Sequence, residues 1–274
     1  MMRFPLRLTL DVARVSIAQK LFGAARRPLA LQVDLARLSA QPEAVSLGSD
    51  ITVPINSSRD LQALAVVRAS TAPIVWIGGD TPLHYPRIGQ LTREIVNLGR
   101  SVFIEMDGRL VRRRIHEFRP VSRLYLVLPL YGLQDAHDLR MAHLGSFRAT
   151  IESIRTAKLS GFHVCVETPI FADTDGGQLG NLANFITTLA VDGWIQKSPA
   201  VPAADQPSEE KLGDARKLIP SRGWRSFSKQ LTAGVPHAEF ACGEIGNVPR
   251  TVSSKPTDQS TSKLPTREES VRAL

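Results

Sequence analysis

The sequence predicts an α/β fold in which repeated βα units build a parallel sheet, followed by a loose C-terminal tail. Three observations lead there. From Pro28 onward short apolar runs alternate with longer amphipathic ones, at a period of about thirty residues. Several of the apolar runs are continuous and β-branched, as strands covered on both faces must be. Finally, 43% of the 274 residues are hydrophobic, enough for one substantial core. A chain of this length also accommodates two small domains, but one domain with a tail is the favoured reading.

Residues 3–25 read as a helix whose apolar positions split into two stripes, Leu8, Val12, Val15 and Phe22 on one side and Leu10, Ile17 and Leu21 on another. Strands are expected at Leu29–Val33, Ile74–Ile77, Ser101–Glu105, Leu124–Leu130, Phe162–Glu167 and Val191–Ile195. Helices fall between them at Arg59–Ala69, Arg87–Leu98, Phe147–Leu159 and Gln178–Leu189. Ser146 suits the N-cap of the third and Gly161 its C-terminal turn, while Phe147, Ile151, Ile154 and Ala157 recur at helical spacing. After Ala200 the composition turns polar and rich in Pro and Ser. One patch, Trp224 through Cys242, carries enough apolar surface to pack back, and 251–274 reads as disordered. The expected organisation is a basic helix at 1–27, the βα units at 28–200, an extension at 201–250 and the tail.

Charge and cysteine content narrow the function. The net charge is +8, and Arg3, Arg7, Arg14, Lys20, Arg26 and Arg27 face only Asp11 within the first 27 residues. An anionic membrane surface suits that segment. Nucleic acid is disfavoured, because the aromatics that single-strand binders interleave with their charges are scarce. Arg109, Arg112, Arg113 and Arg114 form a second basic knot, read as a solvated helix start or as a phosphate or lipid contact. No run is long and apolar enough to span a membrane, and no secretory leader pattern opens the chain. The expectation is a cytoplasmic protein, peripheral at most on the inner membrane face. The two cysteines, Cys165 and Cys242, lie in no metal-binding spacing, and the six histidines show neither HxH nor HxxxH. Asp173, Asp175, Gly176 and Gly177 lack the closing Glu of a calcium loop. GxSxG, P-loop and HExxH patterns are absent, which removes the common hydrolase and nucleotidase readings.

A set of short motifs carries a resemblance. Gly78-Gly79-Asp80-Thr81-Pro82-Leu83-His84 follows a strand and precedes a helix, Val102-Phe103-Ile104-Glu105-Met106-Asp107-Gly108 follows, then His137-Asp138 with Gly145-Ser146-Phe147, then Val191-Asp192-Gly193-Trp194. In order and spacing these resemble the Gly-Gly-Glu-Pro, Glu-Thr-Asn-Gly, HD…GSF and sixth-strand motifs of radical S-adenosylmethionine enzymes. Gln19-Lys20-Leu21-Phe22-Gly23, Arg27-Pro28-Leu29-Ala30-Leu31, Leu231-Thr232-Ala233-Gly234, Phe240-Ala241-Cys242-Gly243 and Gly246-Asn247 extend the likeness, over about residues 8–250, to the adenosyl-hopene transferases of hopanoid lipid biosynthesis.

The resemblance implies a partial (β/α)6 TIM-like barrel with its ligand mouth at the C-terminal strand ends. It also implies a nucleoside-cofactor site around Gly78, Gly79, Asp80, Glu105, Asp107, Glu167, Val191 and Gly193, with Asp80 facing the cofactor's amino group. It places Ser39, Glu43 and Ser46 where the family holds a [4Fe–4S] cluster with three cysteines. Hydroxyl and carboxylate oxygens are poor ligands for a low-potential cluster, so the cluster is expected to be absent, while S-adenosylmethionine stays a candidate ligand. Val127, Pro129, Tyr131 and Glu167 likewise stand where the family carries polar groups or an asparagine.

The leading expectation is a degenerate barrel without radical activity that retains a nucleoside, an isoprenoid or hopanoid lipid, or a partner enzyme. The alternatives are a cluster-independent enzyme using Asp80, Glu105, Asp107 and Glu167 as acids and bases, and a basic membrane-surface or nucleic-acid binding module.

Overall fold

The computed structural model describes residues 2–22, 28–35, 55–79, 82–199 and 205–232. Six parallel strands form one sheet in sequence order: β1 (Ala30–Asp34), β2 (Ile74–Gly78), β3 (Ser101–Glu105), β4 (Leu124–Pro129), β5 (His163–Pro169) and β6 (Gly193–Lys197). Strict succession with every neighbour parallel needs a crossover between each pair, and the alternating runs of the sequence supply it. The helices are α1 (Leu6–Phe22), α2 (Ile55–Ala69), α3 (Ile88–Asn97), α4 (Gly108–Arg114), α5 (Gln134–Arg140), α6 (Ser146–Leu159), α7 (Gly176–Thr188), α8 (Glu209–Lys217) and α9 (Arg222–Thr232).

Alternation along each strand divides the sheet into two faces. On one, Trp76, Phe103, Tyr125 and His163 occupy matching positions of β2 to β5. Their rings form a cross-strand stack, with centroids 5.3 Å apart for Trp76 and Phe103, 4.5 Å for Phe103 and Tyr125, and 5.3 Å for Tyr125 and His163. Aromatic pairs at directly opposed positions hold register as well as burying area. The opposite face presents aliphatic side chains such as Ile77, Ile104, Leu126 and Val164, all fully buried, and α3 and α6 pack against β3, β4 and β5.

Helix termini depart from the sequence expectation in one instructive place. Ser146 is the first residue of α6 and not its cap; the preceding Gly145 is left-handed at φ 82° and makes no side-chain cap. The capping carboxylate is Asp138, from α5, which accepts 2.7 Å hydrogen bonds from the Gly145 and Phe147 amides and a third from the Ser146 hydroxyl. Three donors hold its pKa below the ordinary carboxylate value, the Phe147 amide contributing most. At the other end Gly161, at φ +81°, sits just past the last turn. Its amide bonds to the Lys158 carbonyl and that of Phe162 to the Ala157 carbonyl, a Schellman closure.

The described residues after Ala200 include two helices. Ser208 caps α8 through its hydroxyl on the Lys211 amide, and α9 buries Trp224 and Phe227 completely. Both rings meet Phe4 of the N-terminal segment, edge-on for Trp224 at 5.0 Å. Phe227 also reaches Phe103, so α9 lies on the sheet face that carries the aromatic stack. The basic segment at the N-terminus is therefore part of the core: Leu8 and Val15 of α1 are buried, while Leu10, Ile17 and Leu21 face outward. The basic knot is helical throughout. Arg109 pairs with Asp107, Arg112 with Glu152, and Arg114 with Glu117 while donating to the Leu83 and Tyr85 carbonyls.

Candidate functional site

At the C-terminal ends of the strands the aromatic face continues into charge. Glu105 ends β3, Lys197 ends β6, and Glu167 lies in β5 opposite Ile195. All three project from the same face as Trp76, because each stands an even number of residues from a member of the stack or its register partner. The Lys197 ammonium lies 2.9 Å from Glu105 Oε1, 3.0 Å from Glu167 Oε1 and 4.6 Å from the centroid of the Trp76 ring. The Trp76 indole N–H donates to the same Glu105 oxygen at 2.6 Å. A single cation is thus held by two carboxylates and an aromatic face, a cage that suits an ammonium. Gly78 makes room for it: a Cβ there would stand 2.7 Å from the Glu105 carboxylate. Gly79 is left-handed at φ +105°, and its missing side chain leaves space for the Asp34 carboxylate.

The electrostatics are asymmetric. Glu167 is buried, and loss of solvent pushes its carboxyl up to about 7; Lys197 pulls it down but Glu105 adds to the rise. Lys197 moves upward despite its own burial, because the two carboxylates stabilise its charge. Glu167 Oε2 is buried and has no hydrogen-bond partner, so one acceptor of the cage remains open for a donor. The Tyr131 hydroxyl, raised by burial and by Glu167 and Glu105, lines a cavity of about 310 Å³ with Arg140, Phe171, Asp173 and Gln178.

Of the sequence-predicted residues, Gly78, Glu105 and Glu167 come together, with Gly79 directly behind Gly78. Asp107 is close in sequence but occupied otherwise: it caps α4 through the Arg109 amide and chelates the Arg109 guanidinium. Burial raises its pKa, but those bonds outweigh it and hold the carboxyl low. Val191 and Gly193 stand at the N-terminal end of β6, the opposite end from Lys197, and are not brought to the mouth. Gly193 is a packing residue, since any Cβ would run into the Trp224 ring. Asp80, Ser39, Glu43 and Ser46 lie outside the described residues. Sequence reasoning missed Lys197 and Trp76. The available signal was parity, since Lys197 is two residues beyond the apolar Ile195 on the strand next to Glu167.

The donor set can be tested against the groups the motifs imply. A cluster held by three thiolates of this chain does not fit: there are two cysteines, and Cys165 is fully buried in β5 with its thiol driven well above the usual range. Among the described residues no three His, Cys, Asp or Glu side chains converge on a point that could hold a metal ion. The open acceptor of Glu167 suits a neutral donor better than a strongly cationic group, because Lys197 already balances much of the charge.

Comparison with known proteins locates the architecture. No family model and no curated protein matches the sequence. Among solved structures, Streptococcus suis SuiB bound to S-adenosylmethionine is similar with a TM-score of 0.53 and 15% identity, covering 76% of this chain and 50% of that one. SuiB bound to its precursor peptide SuiA is similar at 0.52 and 15%, covering 80% and 50%. A structure of TYW1 with a lysine-pyruvate adduct gives 0.49 and 13%, covering 74% and 76%. The chain spans about half the length of SuiB. Its fold is a curled, six-stranded parallel half-barrel, similar to that of SuiB.

Proposed function

We propose that this chain is a degenerate member of the radical S-adenosylmethionine superfamily, one that holds no iron–sulfur cluster of its own and has become a ligand-binding barrel. The observation that carries the reading is Lys197. Its ammonium sits between Glu105 and Glu167 at the strand ends where the motif resemblance places a cofactor. A built-in cation there removes the need for a cationic ligand. The cysteine count supports the same reading, because radical generation depends on a cluster that two thiols cannot ligate. The preferred ligand class is a neutral nucleoside such as 5′-deoxyadenosine. The likeness to adenosyl-hopene transferases makes an isoprenoid lipid of hopanoid metabolism the natural second ligand or context.

Calorimetric titration tests this directly. The wild-type protein is expected to bind 5′-deoxyadenosine more tightly than S-adenosylmethionine, and to stay colourless after anaerobic reconstitution with iron and sulfide. Ser39→Cys, Glu43→Cys and Ser46→Cys combined should restore the brown cluster chromophore. Tighter binding of S-adenosylmethionine, or a brown wild-type protein, would overturn the proposal. Absence of heat from both nucleosides would leave the lipid as the ligand to pursue.

A second reading rests on the open Oε2 and raised pKa of Glu167. A carboxyl poised near neutrality can act as acid or base without any metal. It predicts an activity with a pH profile that Glu167→Gln abolishes while Asp107→Asn leaves it intact.

A further inference from the structure

We infer that α1 docks the protein on an anionic lipid surface, through an apolar stripe that the fold leaves facing outward. With 3.6 residues per turn, Leu6, Leu10, Ile17 and Leu21 fall within about 60° of arc. They are exposed by 75%, 50%, 60% and 71%, and the small Ala13 between them is exposed too. Four large aliphatic side chains aligned along one helix are not the scattered single exposures expected of a surface. The opposite side of α1 is anchored: Leu8 and Val15 are buried, and Phe4 just before the helix packs on Trp224. The helix therefore cannot roll its stripe inward. Apolar side chains on both sides also explain why a single amphipathic face is not legible from the sequence.

Charge selects the occupant. Arg7 and Arg14 flank the stripe on one side and Lys20 on the other, and all three, like Arg3, are exposed. The acidic residue of the helix, Asp11, lies round the side toward Arg7, Arg14, Arg100 and Arg123, away from the stripe. Aliphatic side chains between flanking cations match the boundary of acyl chains and anionic headgroups. A nucleic acid would want aromatic stacking platforms, and the stripe has none. α1 would lie on the bilayer and not cross it, since no helix among the described residues is long and apolar enough to span one. This inference does not depend on what the barrel binds.

Co-sedimentation of the full chain with vesicles tests it. Wild-type protein should pellet with phosphatidylcholine–phosphatidylglycerol vesicles and stay in solution with phosphatidylcholine alone. Leu10→Ser with Ile17→Ser should lower the partition coefficient at least tenfold, and Arg14→Gln with Lys20→Gln roughly fivefold per charge. Both double variants should keep the wild-type melting temperature, because every altered side chain is exposed. The inference is overturned if wild-type protein ignores anionic vesicles, or binds neutral ones equally. It is also overturned if the Leu10, Ile17 variant binds as well as wild type, or if that variant instead dissociates a dimer or loses stability. Those last two results would assign the stripe to a second copy or to the chain's own remaining residues.

Discussion

Two carboxylates at opposite ends of the barrel have been pushed in opposite directions, and each gives the fold its own pH dependence. Glu167, at the mouth, is raised from 4.5 to about 7 by burial, with Glu105 adding to the rise. A folded-state pKa above the unfolded one favours the protonated form, so this contribution to stability is complete below about pH 4.5 and is lost as pH rises through about 7. Urea midpoints followed across that window should fall for the wild type and stay flatter for Glu167→Gln; parallel curves would refute the assignment. Asp192, at the N-terminal end of β6, behaves oppositely. Burial raises it, but His163 (3.9 Å), Lys158 (2.8 Å) and the Val164 amide (2.7 Å) outweigh that and bring it to about 2. Its contribution, on the order of 2 kcal/mol, is present above its unfolded value of 3.8 and is lost as pH falls toward 2. Asp192→Asn should remove that acid-dependent part of the unfolding free energy. Replacing Lys197 with Met strands two carboxylates in a half-buried site and should cost about 3 kcal/mol at neutral pH, less where Glu167 is protonated.

Between elements, the tightest fit is that of α9 on β6. Gly193 has no side chain because the Trp224 ring occupies the space, and Gly223 yields likewise to Phe4. Gly193→Ala must therefore displace Trp224 and loosen α9, with an expected loss of a few kcal/mol. The same change in a Trp224→Leu background should cost much less. A double-mutant cycle by urea unfolding measures the difference, and strict additivity would show that the two residues do not share that space. This contact was only half legible in the sequence. The aromatic patch at Trp224 and Phe227 signalled burial, but the partner of a glycine cannot be read from the glycine. Strands β3 and β4 were readable almost to the residue because their centres are apolar runs, Val102–Ile104 and Leu124–Leu128. β6 was placed two residues early because it ends in Gln196 and Lys197. α4 was legible only as a helix start, one of two readings of its four arginines, and α8 hid behind Glu209, Glu210, Lys211 and Asp214. The cap of α6 was assigned to Ser146 because capping rules inspect the adjacent residue, whereas Asp138 reaches it from eight positions upstream.

At the scale of the molecule, order and number of strands followed from periodicity, and the half-barrel from the order of the motifs. What lines its mouth followed from neither, because the cage of Trp76, Glu105, Glu167 and Lys197 joins four strands over sequence separations of up to 121 residues. Motif reading weights local runs; a cage is a property of closure. The cage also bears on what holds the barrel together. A protein that folds around a cluster gains the binding free energy of that cluster and loses it to a chelator. Here the strand ends are bridged by the chain's own ion pairs, and the other end of the sheet is covered by Phe4, Trp224 and Phe227. The thermal midpoint should therefore be the same in chelator, as purified, and after anaerobic incubation with iron and sulfide, as followed by circular dichroism. A midpoint that rises on reconstitution and falls on chelation would mean that iron is part of the folded state, and that Lys197 does not substitute for what the cofactor contributes to the mouth.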